Sequence, residues 1–164
     1  GAPSAVTLLA LTLLVAGASD GERAPPLDPK RLRADLALFC SVEVKSGSAR
    51  LTDPSKRAEK IATWLTKQKF GPDFDQLFAE LSQSGPDNKP SLLLTFARLS
   101  GLSSCAFAEH SQRELRTTYR AQCAKKAPPA SSVNDGSSES QDWCDRLAAL
   151  DTLWDVARQT QRRR

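Results

Sequence analysis

Apolar residues recur at helical spacing along most of this chain, and single glycines and prolines separate the segments that carry them. The clearest stripe has the spacing i, i+3, i+4, i+7 and consists of Phe74, Leu77, Phe78 and Leu81. Alternation of polar and apolar residues is confined to residues 42–44, which is too short for a sheet. The pattern predicts an all-α protein, a compact bundle of about five to six short helices.

Helix starts and stops can be placed from capping residues, prolines and glycines. Asp28 and Asp53 each precede a proline, which favours a helix start, and Gly71 is expected to supply a left-handed helix end. Short loops then favour antiparallel neighbours. The predicted helices cover residues 28–45, 53–70, 90–100, 108–126 and 140–160, with another from Pro72 to the stop at Gly85.

Each predicted helix has a stripe that is expected to face the core. The last helix is strongly amphipathic, and we expect it to dock on the rest of the bundle. Besides the stripe after Pro72, the residues expected inside are Leu32, Leu36, Phe39, Cys40, Ala58, Ile61, Ala62, Leu65, Leu92, Leu93, Phe96, Ala97, Leu99, Leu115, Tyr119, Cys123, Trp143, Leu147, Leu150, Trp154 and Ala157.

Residues 5–18 form an apolar run of about 14 residues, shorter than the roughly 20 that a membrane-spanning helix needs. Residues 16–18 (Ala-Gly-Ala) are typical of a signal-peptide cleavage site. No basic residue precedes the run, so the basic start of such a signal is expected to lie before Gly1. The alternative is a buried helix of a cytosolic domain. The sequence favours a cleavable signal over residues 1–18, a secreted or periplasmic protein, and no transmembrane span in the mature chain.

Four cysteines in an exported chain predict two disulfide bonds. Four cysteines allow three pairings, of which we favour Cys40–Cys105 and Cys123–Cys144. The first pairing would tie the start of the helical region to its end, and the second would close the loop before the last helix. The alternative is four free thiols in a cytosolic protein.

Two short stretches resemble a group of known proteins. Residues 38–40 (Leu-Phe-Cys) open a helical unit and residues 101–109 (GLSSCAFAE) close it, with an Ala/Trp/Leu helix over 58–65 between them. This layout, over residues 36–110, resembles small uncharacterised exported helical proteins of bacteria that have one cysteine at each end of a four-helix unit. The resemblance implies the Cys40–Cys105 pairing and implies no activity.

The remaining segments are assigned by composition. We expect a disordered lead-in over 19–27, a helical domain over 28–126, a flexible Pro- and Ser-rich linker over 127–140, the amphipathic helix over 141–160 and a basic tail over 161–164. The formal net charge is +4, and the four arginines of the last seven residues account for all of it. The domain therefore lacks the basic patch of a nucleic-acid-binding protein, and no nucleic-acid partner is predicted.

The sequence offers little for catalysis. His110 is the only histidine, and Cys105 lies close to it, but we expect a disulfide cysteine beside a surface histidine rather than a nucleophile and base. A zinc site built from the cysteines and His110 is disfavoured by their wide spacing. The acidic residues weighed as catalytic and expected to be solvated or ion-paired are Glu109, Glu114, Asp142, Asp145 and Asp151. No catalytic, metal or cofactor-binding residue and no cofactor is predicted.

An arginine stripe is the remaining candidate for recognition. Arg113, Arg116 and Arg120 share one face of a predicted helix and could contact an anionic envelope surface or an acidic protein, although a solvated face is the simpler interpretation. The favoured hypothesis is an exported, non-enzymatic helical domain with a binding or structural role. The alternatives are a cytokine-like four-helix signalling protein and a small enzyme that uses acidic residues.

Overall fold

The computed structural model describes residues 25–125 and 136–161, with side chains from residue 142 in the second range. These residues form α-helices and one 3-10 turn, with no strand among them, which confirms the all-α class. The predicted signal, most of the lead-in, most of the linker and residues 162–164 of the tail lie outside the described residues. The helices are α1 (Pro29–Cys40), α2 (Val42–Ser46), α3 (Pro54–Thr66), α4 (Pro72–Gln83), α5 (Lys89–Leu99), α6 (Ala106–Ala124) and α7 (Gly136–Arg158).

Local capping explains where several helices begin and end. The Asp28 carboxylate accepts a hydrogen bond from the Arg31 N–H (3.0 Å) at the start of α1, and Asp53 accepts one from the Ser55 N–H (2.9 Å) at the start of α3. Gly47 (φ 83°) follows α2, and Gly101 (φ 101°) follows α5. The helix predicted over 28–45 is divided at Ser41 into α1 and α2.

Gly71 has a different role from the one predicted. Its backbone is extended (φ −74°, ψ 166°), and it precedes α4 instead of ending α3, which stops at Thr66. The Gly71 N–H donates to the buried Asp35 carboxylate (N···Oδ2 2.8 Å). A Cβ on Gly71 would lie 3.1 Å from Cγ of Arg31 and 3.3 Å from Oδ2 of Asp35, so close approach, and not a left-handed conformation, favours glycine here.

The core lies between α1, α4, α5 and α6, with α7 contributing from one side. Phe39 is central, because the rings of Phe74, Phe78 and Phe107 meet it edge-on at centroid distances of 5.5, 5.7 and 5.5 Å. The buried cluster consists of Leu32, Leu36, Phe39, Cys40, Phe74, Leu77, Leu81, Leu93, Leu94, Phe96, Ala97, Cys105, Ala108 and Ala157. Outside α3, two predicted core residues are exposed instead, Phe78 (38%) and Leu99 (41%). Others are only half-buried: Leu92, Leu115, Cys123, Trp143, Leu147 and Trp154.

Helix α3 has no buried residue, so the prediction that its stripe is buried is wrong, although Leu65 packs against the core. Ala58 and Ala62 are exposed, while Ile61 and Leu65 are half-buried. The physical reason is that α3 lies against α2 and the short 3-10 turn (Ser48–Arg50), which are too small to cover a helix face.

Helix α7 docks on α6 and α5, as the amphipathic pattern predicts. It runs antiparallel to α6, since Cys144 pairs with Cys123 whereas Leu150, further along α7, meets Gln112, which lies earlier in α6. Leu150 is fully buried and Ala157 is 2% exposed. The helix begins at Gly136, so residues 136–140 are helical although the sequence placed them in the linker.

Both favoured disulfides are present. Cys40 and Cys105 have Cα atoms 4.8 Å apart and join the end of α1 to the start of α6 within the core, where Cys105 is 1% exposed. Cys123 and Cys144 have Cα atoms 4.7 Å apart and join the end of α6 to α7. Every cysteine of the chain is therefore bonded.

We expect the two disulfides to contribute unequally to stability, because the loops they close span 65 and 21 residues. In the chain-entropy model, the double variant Cys40→Ala/Cys105→Ala loses about 4 kcal/mol of unfolding free energy and Cys123→Ala/Cys144→Ala loses about 3 kcal/mol. The first pair is also buried, which should increase the difference between the two losses of unfolding free energy. Denaturant unfolding of both variants measures it, and a larger loss for the second pair would contradict the loop-length argument.

Candidate functional site

A cleft of about 800 Å³ lies where α5, α6 and α7 meet. Its walls carry charges of both signs, together with Gln112 and Trp154. The charged residues that line it are Arg98, Arg113, Arg116, Arg158, Glu109, Asp151 and Asp155. A cleft of this size is in the range of small-molecule sites, but its lining is more polar than is usual for them.

Two of the four arginines are paired with acidic residues of the same cleft. Arg116 of α6 meets the Asp151 carboxylate of α7 with two hydrogen bonds, Nε to Oδ1 (2.6 Å) and Nη2 to Oδ2 (3.4 Å). Arg158 and Asp155 form a looser, exposed pair at 4.0 Å. These pairs neutralise much of the positive charge, and the first also fixes α7 against α6.

Arg98 is held by neutral groups. Its Nε donates to the Thr160 carbonyl (2.7 Å) and its Nη1 donates to the Ser103 carbonyl (2.8 Å), which orients the guanidinium at the end of α5. Carbonyl oxygens satisfy donors without cancelling a full charge. Among the described residues, no carboxylate forms an ion pair with Arg98, and the exposed Arg113 guanidinium has neither an ion pair nor a hydrogen bond.

Gln112 is the one polar residue of the cleft wall that is almost completely buried, with 2% of its surface exposed. Its Nε2 donates to the Leu150 carbonyl (3.3 Å), whereas its Oε1 has no hydrogen-bond partner in the described part of the chain. A buried acceptor without a donor costs about 1–3 kcal/mol. Within the described residues, the hydrogen-bonding capacity of Oε1 is therefore unused.

The predicted arginine stripe is divided by the structure. Arg113 and Arg116 line the cleft, while Arg120 is exposed outside it. Sequence reasoning missed Arg98 and Gln112. Arg98 lies on a different helix from the stripe, and a glutamine among charged residues of an amphipathic helix gives no signal of burial.

His110 is part of a network of polar side chains that the sequence did not predict. Its Nδ1 contacts the Glu43 carboxylate of α2, and its Nε2 lies 3.1 Å from Oε1 of Glu114. Glu114 also contacts the guanidinium of Arg57 on α3. This network of polar contacts therefore links α2, α6 and α3. Among the described residues, no group of three or more His, Cys, Asp or Glu side chains is arranged to hold a metal ion.

A second polar cluster fixes the first half of α7. Arg146 donates to both oxygens of Asp87 (Nη2 to Oδ1 2.9 Å, Nε to Oδ2 3.1 Å), and its guanidinium stacks 4.6 Å from the Tyr119 ring and 4.5 Å from the Trp143 ring. Hydrogen bonds from Arg146 hold the pKa of Asp87 below its ordinary 3.8. Burial, together with the hydrogen bond to Asp87, raises the pKa of Tyr119 to about 12.

The described residues thus define a class of structure, a disulfide-linked helical bundle with a mixed-charge cleft on one side. No protein-family model, curated protein or solved structure matches this chain. Within the described residues, no helix has the length and apolar character to cross a membrane.

We expect Asp87→Asn to lower the unfolding free energy by about 2 kcal/mol at pH 7, the order of a hydrogen bond to a charged group. Because the folded state lowers the pKa of Asp87, this stabilisation is complete above the unfolded value of 3.8 and is lost as the pH falls below it. The stability gap between wild type and variant should therefore shrink from pH 6 to pH 3. Denaturant unfolding across this range measures the gap.

Glu59→Gln on α3 is the matched control, since Glu59 is exposed and lies outside this cluster. A gap for Asp87→Asn that stays constant with pH would mean that the carboxylate charge contributes nothing to docking α7.

Proposed function

We propose that this chain is an exported, non-enzymatic domain that acts by binding, in the periplasm or outside the cell, and that the cleft between α5, α6 and α7 is its binding surface. One observation carries the proposal. Arg98 and Arg113 lie in the same cleft, and no carboxylate of the described residues neutralises either charge. Unneutralised guanidinium groups in a concave site are a common means of recognising anions.

The disulfides support export. All four cysteines are paired, and persistent structural disulfides are typical of oxidising compartments and rare in the cytosol. The apolar run and the small-residue site expected of a signal peptide agree with this interpretation.

Binding is favoured over the small-enzyme alternative by the contacts of four of the groups that the sequence offered for catalysis. Cys105 is in a disulfide, and the imidazole of His110 is engaged by carboxylates on both nitrogens. Asp151 is paired with Arg116, and Glu114 contacts both His110 and Arg57. A nucleophile or general base needs an available lone pair directed at substrate, and these groups direct theirs at other side chains.

We expect all four cysteines to be oxidised in cells that express the chain from its natural gene. Alkylation of intact cells before lysis, followed by fractionation and non-reducing mass spectrometry, measures the thiol state in each compartment. The proposal requires fully oxidised protein outside the cytosol. A cytosolic protein with two or more alkylatable cysteines would overturn export.

We also expect a binding footprint in the cleft. Amide hydrogen exchange of the purified oxidised chain should slow around residues 98–116 and 150–158 when extract from the compartment of export is added. Helix α3, none of whose residues lines the cleft, is the internal control and should not change. Protection confined to α3, or no protection at all, would contradict the assignment of the cleft as the binding surface.

A further inference from the structure

We infer that the cleft binds a small ligand that carries one oxyanion group, a carboxylate or a phosphate, together with an N–H or O–H donor. Arg98 and Arg113 would hold the oxyanion, and Oε1 of Gln112 would accept the donor. This inference rests on the proposed function and names the ligand chemistry of the same cleft.

The guanidinium of Arg98 is oriented before any ligand arrives. Hydrogen bonds from Nε to Thr160 and from Nη1 to Ser103 fix its plane and leave Nη2 without a partner among the described residues. A guanidinium that is already fixed loses little conformational entropy on binding. Its charge is intact, so an oxyanion at Nη2 gains a charge-assisted hydrogen bond.

Arg113 supplies the second positive charge. It lies on α6, three residues before Arg116, but it has no equivalent of the Asp151 partner that neutralises Arg116. Arg98 comes from α5, so the two unneutralised charges line the cleft from different helices. An anion within the cleft could interact with both, whereas a flat anionic surface would meet the exposed Arg120 as readily as Arg113.

Glu109 limits the charge of the ligand. It lines the same cleft, and no described arginine or lysine pairs with it. Four arginines and three acidic residues leave the lining with one excess positive charge. A polyanion would be repelled by Glu109, whereas a ligand with one anionic group and a donor of its own would be complementary to both signs of charge.

Gln112 is the reason why the ligand is expected to carry an N–H or O–H donor. Gln112 lines the cleft, and its buried Oε1 has no hydrogen-bond partner among the described residues, while its Nε2 is already used by the Leu150 carbonyl. An unsatisfied buried acceptor destabilises the free protein, and a ligand N–H or O–H that reaches it recovers that free energy on binding. We therefore expect Gln112 to lower the unfolding free energy of the free protein and to raise its affinity for the ligand.

Calorimetric titration of the purified oxidised chain tests the inference. The probes are serine, which has a carboxylate and an ammonium, glycerol 3-phosphate, which has a phosphate and hydroxyls, and acetate, which has no donor. Sodium chloride at equal ionic strength corrects for screening. We expect saturable binding of serine or of glycerol 3-phosphate, which distinguishes the carboxylate source from the phosphate source, and binding of acetate at least tenfold weaker.

Three variants assign the binding to the cleft. Arg113→Gln and Gln112→Leu should each weaken the bound probe about tenfold, and the exposed Arg120→Gln, on the same helix, should change it less than twofold. Thermal unfolding without ligand adds a second readout, because Gln112→Leu should leave the melting temperature unchanged or raise it. A lowered melting temperature with unchanged probe affinity would show that Gln112 is structural only.

The outcomes separate this inference from the proposed function. If no probe binds but extract still protects the cleft from exchange, the ligand chemistry is wrong and the binding role remains. If Arg120→Gln weakens binding as much as Arg113→Gln, or if only anionic phospholipid vesicles bind, the chain recognises a charged surface and the inference is overturned.

Discussion

The docking of α7 on α6 is the contact on which the candidate site depends. Its apolar part is narrow, with Leu150 and Ala157 as the buried residues, so polar contacts along the helix fix its position. The Cys123–Cys144 disulfide and the Asp87–Arg146 pair hold the first half of α7, and Arg98 binds the Thr160 carbonyl just beyond its end. Without this docking one wall of the cleft would be missing. Stability of α7 and binding in the cleft are therefore physically coupled.

The rest of the molecule divides into a rigid part and a weakly held part. The Cys40–Cys105 disulfide and the rings around Phe39 join α1, α4 and α6 in the buried core. Helix α3 contributes no buried residue, and the Arg57–Glu114 contact connects it to α6. Elements with few buried apolar contacts open at lower free energy than the core. Of the helices that form the cleft, α6 belongs to this rigid part, and the Cys123–Cys144 disulfide fixes α7 to α6. This suits a site that must keep two arginines in fixed positions.

The contrast between α4 and α3 shows how far the sequence predicts the fold. Both helices have clear stripes and a proline at the start, and the sequence predicts both as helices, although α3 ends at Thr66 and not near residue 70. Phe74 and Leu77 of α4 are buried, whereas Ala58 and Ala62 of α3 are exposed, because burial depends on which element lies opposite and periodicity carries no such information. Gly71 illustrates the same limit, since its close approach to Asp35 spans 36 residues of sequence.

For the candidate site, the sequence predicts the arginines of α6 but not which of them pairs with an acidic residue. Arg113 and Arg116 look equivalent in a helical pattern, yet Asp151 on α7 neutralises one and leaves the other unpaired. That difference has a functional consequence. Because acidic residues cancel most of the charge in the lining, the long-range field of the cleft is weak, and an anion gains little before it enters. Selectivity must then come from short-range contacts with Arg98, Arg113 and Gln112, which favours a small ligand with defined geometry over an extended charged surface.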